Sequence, residues 1–203
     1  MLKKLNPKLE QTLIELQFNV PLPLQKETFS LYKSGLNLLI DAPQNAGKTF
    51  SIALNCIHKL DTPFEQSPRA LIIVANKDEV LHLTELTEAL NKHNKLRIFQ
   101  TYEQTDIDQD KNLISEGIDI LIGTPKKIND LFTRAGFDIN QLKLLAIDNI
   151  DSIIKNRQEN LINRIIDSCP RTQFIITTKT SDNKVERFVE RNFEDIEYYK
   201  FEE

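Results

Sequence analysis

A short turn of mostly small residues lies between two apolar segments and carries the side chains best suited to bind phosphate. Residues 38–40 are apolar and end at Asp41, and residues 50–60 follow with apolar residues at helical spacing. Between them, Ala42 is followed by four spacers and then by Gly47, Lys48 and Thr49, which is the spacing of a phosphate-binding loop. We therefore predict a strand, a phosphate-binding loop and a helix; a purely structural turn is the alternative.

Each residue type in this loop has a defined use in phosphate chemistry. Backbone N–H groups at the start of a helix face an anion, and Gly47 lets the backbone approach it closely. Lys48 can bridge the β and γ phosphates, and the Thr49 hydroxyl can join the coordination shell of Mg²⁺. Asn45 and Ala46 fit less well. If the loop needs a positive φ at Asn45, asparagine tolerates it better than most residues but less freely than glycine.

A carboxylate that follows a second apolar run completes the pattern of a nucleotide site. Four apolar residues, 144–147, precede Asp148. An acid at the carboxyl end of a central strand next to a phosphate-binding loop can hold Mg²⁺ directly or through water. The alternative is an acid that complements the dipole of a helix N-terminus, which contributes about 0.3 to 1 kcal/mol. We favour the metal role because the loop lies upstream in the same chain.

Composition and charge exclude several classes of protein. A length of 203 residues suits one domain with its own core, and 40% hydrophobic with 28% charged residues argues against disorder. The formal charge of −4 requires any nucleic-acid binding to use a local basic surface. Cys56 and Cys169 are predicted to be buried free thiols in a reducing compartment. The sequence shows no signal peptide, membrane-spanning run or transition-metal motif, so we expect a cytoplasmic protein.

Apolar runs and helical patterns alternate along the chain. This alternation predicts a single α/β domain with a parallel sheet covered by helices on both faces. The predicted strands are residues 38–41, 70–75, 97–100, 118–123, 144–148, 173–178 and 196–201. The predicted helices are residues 6–16, 50–60, 77–94, 105–116, 157–168 and 183–193. A further helix starts at the prolines within residues 18–25 and ends near residue 34, and another begins at residues 124–125.

The order of these segments resembles the first RecA-like domain of the DEAD-box RNA helicases over nearly the full length of the chain. Residues 18–25 resemble the Q motif, and residues 42–49 correspond to motif I. Residues 75–78, 118–127, 144–151 and 177–179 occupy the places of motif Ia, the segment ending in Thr-Pro-Gly-Arg, Asp-Glu-Ala-Asp and Ser-Ala-Thr. The resemblance implies binding of ATP, Mg²⁺ and RNA, with Gln25 reading adenine. The nucleotide-binding residues so implied are Phe18, Gln25, Ala42, Asn45, Ala46, Gly47, Lys48 and Thr49; the Mg²⁺ ligands are Thr49 and Asp148; and Asp151, Thr177 and Lys179 couple the last two motifs.

Several departures from the family pattern bear on activity. The resemblance implies that the Glu of Asp-Glu-Ala-Asp orients and deprotonates the attacking water, and Asn149 stands at this position. An amide cannot accept that proton, so we expect general-base assistance, roughly 10²- to 10⁴-fold, to be lost. Asn45 replaces a glycine, and the aromatic residue upstream of the Q motif would fall at or before the first residue. Lys179 replaces the last Thr of Ser-Ala-Thr, and its ammonium either pairs with Asp148 or Asp151 or is solvated.

The RNA contacts implied by the resemblance are altered but retain positive charge. Lys77 and Lys127 keep the charges of motif Ia and Thr-Pro-Gly-Arg, Lys126 adds one, and Thr124 keeps a hydroxyl at a helix N-terminus. The Gly-Gly turn of the family is not evident in residues 100–103. Any RNA binding would follow the backbone and shape rather than the sequence. The alternative is that Lys126 and Lys127 solvate a helix face.

Two hypotheses for the function remain open. In the first, residues 1–203 form an ATP- and RNA-binding helicase-like domain that hydrolyses ATP slowly or not at all. Unless these residues are part of a longer chain, we expect the domain not to unwind alone, because the family's second domain, which supplies arginine fingers, is not among them. In the second, the chain is a pseudoenzyme scaffold that has lost nucleotide binding and acts through protein partners, for example one that supplies or replaces a second RecA-like domain. The intact Gly-Lys-Thr sequence favours the first hypothesis, whereas Asn45, Asn149 and Lys179 favour the second.

Overall fold

Seven short segments form the strands of one parallel sheet. They are β1 (Leu38–Asp41), β2 (Ala70–Ile73), β3 (Ile98–Thr101), β4 (Ile120–Gly123), β5 (Leu144–Ile147), β6 (Gln173–Thr178) and β7 (Glu197–Lys200). In the computed structural model, which describes residues 5–18, 20–169 and 171–202, the strand order is β3-β4-β2-β5-β6-β1-β7 and every pair is parallel. Because the strands are parallel, all their carboxyl ends lie at one edge of the sheet.

The segments between the strands are helical. The helices are α1 (Pro7–Glu15), α2 (Pro23–Ser34), α3 (Lys48–Leu60), α4 (Lys77–Leu90), α5 (Ile107–Ser115), α6 (Pro125–Thr133), α7 (Ile150–Lys155), α8 (Asn160–Asp167) and α9 (Asn183–Asn192). Local sequence sets several of their starts. Asn6, Asn76, Asp106 and Asp182 each accept backbone N–H bonds at a helix N-terminus, which satisfies donors that the helix itself leaves unpaired.

The sheet separates two apolar layers. Successive side chains of a strand point to opposite faces, so in β2 Ala70 and Ile72 pack with α1 to α4, whereas Leu71 and Ile73 pack with α5 to α9. Strands buried on both faces read as continuous aliphatic runs, as β2 and β5 do. The prediction of a single α/β domain with helices on both faces of a parallel sheet is confirmed.

Element boundaries differ from the predicted ones mainly at helix ends. The helix predicted for residues 77–94 ends at Leu90, and the one predicted for residues 157–168 begins at Asn160. Helix α7 was absent from the prediction. Its six residues make fewer than two turns, which is too short for helical periodicity to be read from the sequence.

A buried ion-pair network joins the amino ends of β2, β3 and β4. Asp119, just before β4, is fully buried and accepts hydrogen bonds from Nη2 of Arg69 at 2.6 Å and from Nε of Arg97 at 2.9 Å. Its carboxylate also accepts backbone N–H bonds from Phe64 and Arg97. Burial raises the pKa of Asp119, but these hydrogen bonds outweigh that effect and leave the pKa below its ordinary value of 3.8.

Both cysteines are buried and free. Burial raises the pKa of Cys56 to about 12 and that of Cys169 to about 11, so both thiols stay protonated at neutral pH. In residues 5–18, 20–169 and 171–202, no group of three His, Cys, Asp or Glu side chains is arranged to hold a metal ion. None of the helices in these ranges is both long and apolar enough to cross a membrane.

Candidate nucleotide-binding site

The predicted phosphate-binding loop connects β1 to α3 at the carboxyl edge of the sheet. Its backbone takes left-handed conformations at Asn45 (φ 67°) and Gly47 (φ 93°). A Cβ at Gly47 would lie 2.8 Å from Nε2 of Gln25 and 3.0 Å from Cδ1 of Leu22, both at the ends of flexible side chains, so it is the φ that favours glycine here. Gly47 is the N-cap of α3 and supplies no side-chain cap, which leaves the first N–H groups of α3 available to an anion.

Lys48 is folded back onto the loop. Its Nζ donates to the backbone carbonyl oxygens of Ala42 at 2.6 Å and Pro43 at 2.7 Å, and the side chain is buried. Burial lowers the pKa of Lys48, and the nearby charge of Asp148 opposes this effect. The ammonium is thus held at the wall of the cavity where phosphates would lie.

Asp148 lies at the centre of a cluster of hydroxyl groups. Its Oδ2 accepts a hydrogen bond from Oγ1 of Thr49 and its Oδ1 accepts one from Oγ1 of Thr177, each at 2.5 Å. Thr177 comes from β6, which pairs with both β1 and β5 and so brings the loop and Asp148 together. The carboxylate caps no helix, because Asn149 is the N-cap of α7. Carboxylate and hydroxyl oxygens are the ligands that Mg²⁺ prefers, so the residues fit this ion.

Asn149 faces the same cavity in a left-handed conformation. Its φ is 54° and its ψ is 58°, a region that asparagine tolerates better than other non-glycine residues. Its backbone N–H donates to Oγ1 of Thr177 at 3.0 Å, and its side chain makes no cap hydrogen bond. The residue at the position of the family's general base is therefore an asparagine, and its left-handed backbone conformation is one that asparagine tolerates well.

Asp151 links α7 to the end of β6. Its Oδ1 accepts hydrogen bonds at 3.2 Å from Oγ1 of Thr178 and from the backbone N–H of Lys179. Among the described residues, no carboxylate lies within 4 Å of the Lys179 ammonium, so the ion pair with Asp148 or Asp151 is not formed. Lys179 instead lines the cavity with its side chain half-buried.

The cavity has a volume of about 470 Å³ and includes side chains that the sequence analysis missed. Glu79 and His82 from α4 and Phe50 from α3 line it together with the loop, Asp148 and Asn149. Oε2 of Glu79 accepts a hydrogen bond from the backbone N–H of Ala75 at 3.0 Å. Burial raises the pKa of Glu79, and the charge of Asp148 adds to the increase. The sequence feature that could have identified Glu79 is its position in the first turn of a helix that follows a central strand.

Gln25 and Phe18 lie on the other side of the loop. Gln25 is buried, and its Oε1 accepts a hydrogen bond from the backbone N–H of Leu22 at 2.8 Å. The Phe18 ring packs edge-on against Phe50 with 5.4 Å between centroids, and 48% of Phe18 is exposed. Asn19, within the predicted Q motif, is outside the described residues. A second cavity of about 440 Å³ opens here between α2 and the loop, with Asn45 and Ala46 in its wall.

The four residues predicted to contact RNA have different environments. Lys77 is exposed, with its ammonium 5.0 Å from the centre of the Tyr102 ring. Lys126 is exposed at the start of α6. Thr124 is the N-cap of α6 but is buried, and its hydroxyl has no hydrogen-bond partner among the described residues.

For Lys127 the structure supports neither of the two expectations from the sequence. Its ammonium is buried, donates to the carbonyl of Thr105 at 2.5 Å and lies 3.1 Å from Oδ2 of Asp110. The same carboxylate oxygen accepts hydrogen bonds from the hydroxyls of Thr101 and Thr105. The ammonium therefore neither solvates the helix face nor reaches a phosphate in this conformation.

This pair of neighbouring lysines gives a direct test of the two environments. We expect Lys127→Ala to lower the free energy of unfolding by about 3 kcal/mol, because it leaves the buried Asp110 carboxylate without its cation. We expect the matched change Lys126→Ala to be nearly neutral, since that side chain is exposed. Urea denaturation of both variants measures the difference, and equal stabilities would show that Lys127 does not hold the fold.

Together, the loop between β1 and α3, the carboxylate at the end of β5 and the sheet order are those of a RecA-like domain. A sequence model of the DEAD/DEAH box helicase family matches residues 22–188, and the chain belongs to this family.

Individual relatives cover much of the chain at low identity. The ATP-dependent RNA helicase DHH1 of Meyerozyma guilliermondii is 25% identical over 89% of this chain and 33% of its own length. Nucleolar RNA helicase 2-A of Xenopus laevis is 30% identical over 64% of this chain and 17% of its own length. The chain thus spans a third or less of these two relatives.

Solved structures share the fold. A DEAD box protein from the hyperthermophile Methanococcus jannaschii superposes with a TM-score of 0.90 at 18% identity, over 97% of this chain and 54% of its own. A Saccharomyces cerevisiae Dbp5 variant bound to Nup159, Gle1, IP6 and ADP superposes with a TM-score of 0.88 at 17% identity, over 97% of this chain and 52% of its own.

Proposed function

We propose that this domain binds ATP with Mg²⁺ at the loop between β1 and α3, and that it hydrolyses the nucleotide slowly. The observation that carries the proposal is the contact of Thr49 with Asp148, supported by Thr177. Two oxygen ligands from distant parts of the sequence meet beside a buried lysine and the free N-terminus of a helix, and this combination suits a polyphosphate with its counter-ion.

Each residue has a distinct part in binding. Lys48 exchanges its two backbone carbonyl acceptors for phosphate oxygens, a charge-assisted contact that is stronger than the neutral ones it replaces. Thr49 and Asp148 would be ligands of the metal ion, and Thr177 holds the carboxylate in place. Gln25 lies beside Gly47 of the loop and Phe18 packs against Phe50, and the family resemblance assigns the Q motif that contains them to adenine. Mg²⁺, when bound, supplies charge stabilisation to the phosphates.

Slow hydrolysis is proposed because no carboxylate occupies the general-base position. The Asn149 amide can hold a water molecule by hydrogen bonds but cannot take its proton. Glu79 is the other carboxylate of the cavity besides Asp148 in the described part of the chain. One oxygen of Glu79 is already engaged by the backbone of Ala75, so we do not assign it this role.

Further parts of the proposal concern RNA and a second domain. Lys77 and Lys126 are exposed and could contact an RNA backbone, and the two relatives described above are RNA helicases. Unwinding would need a second RecA-like domain that supplies arginine fingers, either from a longer chain or from a protein partner. The two buried free thiols suit a reducing compartment such as the cytoplasm.

A second candidate function is that of a scaffold without nucleotide. The observation that favours it is the Lys48 side chain, whose ammonium is already satisfied by two carbonyl groups of its own loop. A nucleotide would have to displace both hydrogen bonds. If this exchange is unfavourable, the domain would act through protein contacts alone.

Replacement of Asn149 tests the proposed cause of slow hydrolysis. We expect Asn149→Glu to raise the single-turnover rate of ATP hydrolysis at least about tenfold, because a carboxylate can take the proton of the attacking water and the left-handed conformation costs glutamate only about 1 kcal/mol. Asn149→Gln is the matched control, since it has the same length and backbone strain without a carboxylate. An equal rate in the two variants would contradict the assignment.

A further inference from the structure

Helices α1 to α4 cover one face of the sheet, and a groove with an apolar floor and a cationic rim lies on the other face. It has a volume of about 240 Å³ and lies between α8 and α9 beside the end of α7. Ile154 and Phe188 form its floor, Glu159 and Asn163 line one wall, and Arg187 and Arg191 line the other. We refer to the cavity that these residues line, together with Lys184, as the α8–α9 groove. None of them takes part in the nucleotide site.

The cations of the rim are exposed and have no ion-pair partner. Lys184, Arg187 and Arg191 project from one side of α9 at a spacing of three and four residues, and all three line the groove. Within the described ranges of the chain, none of them lies within 4 Å of a carboxylate oxygen. In a chain with a formal charge of −4, such a local cluster attracts an anionic partner.

The opposite wall distinguishes between anionic partners. Oε2 of Glu159 and Oδ1 of Asn163 are buried atoms that accept no hydrogen bond from any described residue. A buried acceptor without a donor costs about 1 to 3 kcal/mol, so a partner that brings donors would be favoured. The phosphates of RNA accept hydrogen bonds but donate none, and RNA has no aliphatic side chain for the floor formed by Ile154 and Phe188. The charge of Glu159 would repel either kind of anion, so it does not distinguish them. A peptide offers backbone N–H donors, acidic side chains for the arginines and apolar side chains for the floor.

We propose that the α8–α9 groove binds an acidic peptide segment of a partner protein that carries apolar anchor residues. The acidic side chains pair with Arg187 and Arg191, an apolar side chain packs on Ile154 and Phe188, and peptide N–H groups donate to Glu159 and Asn163. Arginine suits this use because its planar guanidinium binds a carboxylate through two parallel hydrogen bonds. The binding needs no nucleotide, so it does not depend on the function proposed above.

The test is a fluorescence anisotropy titration of the whole chain with a labelled synthetic peptide of Asp, Glu and Leu residues. We expect the peptide to bind at low ionic strength and Arg187→Glu/Arg191→Glu to raise its Kd at least about tenfold. Arg187→Gln/Arg191→Gln should give a smaller increase. The matched control, Lys8→Glu/Lys26→Glu, makes the same charge change at exposed residues of α1 and α2 and should leave the Kd unchanged. Thermal unfolding of each variant verifies that it is folded.

Three outcomes would overturn the proposal. The first is no peptide binding by the unmodified chain. The second is an equal loss of binding in the control variant, which would show a general charge effect. The third comes from a labelled oligouridylate used as a second probe. If it binds more tightly than the peptide and is lost on Arg187→Glu/Arg191→Glu, the groove recognises nucleic acid instead.

Discussion

Replacing Lys48 by alanine is expected to weaken the binding of Mg²⁺-ATP about a hundredfold or more. The substitution removes the loop ammonium that would exchange its two carbonyl acceptors for phosphate oxygens, and charge-assisted contacts to two phosphate groups contribute about 3 kcal/mol. Competition against a fluorescent ATP analogue measures the change. Lys126→Ala is the control, because it removes an exposed lysine outside the cavity. An affinity within a few-fold of the unmodified chain would show that nucleotide does not bind at this loop.

Fold stability in the same variant distinguishes two causes of lost binding. Lys48 also holds the carbonyl groups of Ala42 and Pro43, so its removal could loosen the loop. Lys48→Met keeps most of the apolar stem without the charge. If both variants lose binding while their thermal unfolding stays close to that of the unmodified chain, the effect belongs to the charge.

The second large effect is expected at Asp119. Asp119→Ala should lower the free energy of unfolding by about 4 kcal/mol, because it leaves the buried Arg69 guanidinium, 4% exposed, without its anion. In a domain of this size such a loss corresponds to a decrease in Tm of about 8 to 16 °C. Calorimetry measures it. Glu15→Ala is the control: that carboxylate pairs with Lys92 and His93 at the surface, and its removal should change Tm far less.

The same carboxylate makes stability depend on pH. The pKa of Asp119 is lower in the folded protein than its ordinary value, so the folded state binds fewer protons than the unfolded state as the pH approaches that value. The stabilisation that Asp119 provides is therefore complete above a pH of about 4, and it is lost as the pH falls through the pKa of Asp119 in the folded protein. We expect the acid limb of a stability profile to flatten in Asp119→Ala. An unchanged limb would show that other carboxylates cause the acid sensitivity.

The strands and the loop could be predicted because their signals are local. The aliphatic runs of β2 and β5 and the spacing from Ala42 to Thr49 follow from requirements that act within a few residues. Asp148 could be placed because a single acid follows a buried strand. Its contacts with Thr49 and Thr177 depend on the strand order, which brings β6 between β1 and β5 and is not written in any one segment.

The different environments of adjacent residues on one helix were harder to predict. Lys126 and Lys127 read alike in the sequence, yet a rotation of about 100° per residue exposes one and directs the other toward Asp110. Glu79 and the groove cations on α9 were missed for a related reason. Each has an ordinary helical context, and only the packing of separate elements brings them to a cavity.

The positive φ of Asn149 gives a physical reason for an asparagine at this position, and this reason could not be found from the sequence alone. Asparagine accommodates the left-handed conformation before α7 at lower cost than a longer carboxylate would. The proposed loss of a general base would thus fall at a position where asparagine also lowers backbone strain. Asn45 in the loop has a similar conformation, with φ of 67°.

The central claim is that this domain retains a working site for Mg²⁺-ATP, and its most direct test is a calorimetric titration of the unmodified chain with ATP in the presence and absence of Mg²⁺. We predict saturable binding with one nucleotide per chain that weakens clearly when Mg²⁺ is removed, since Thr49 and Asp148 then lose their shared ion. An absence of heat up to millimolar nucleotide, with and without Mg²⁺, would contradict the claim and favour the scaffold.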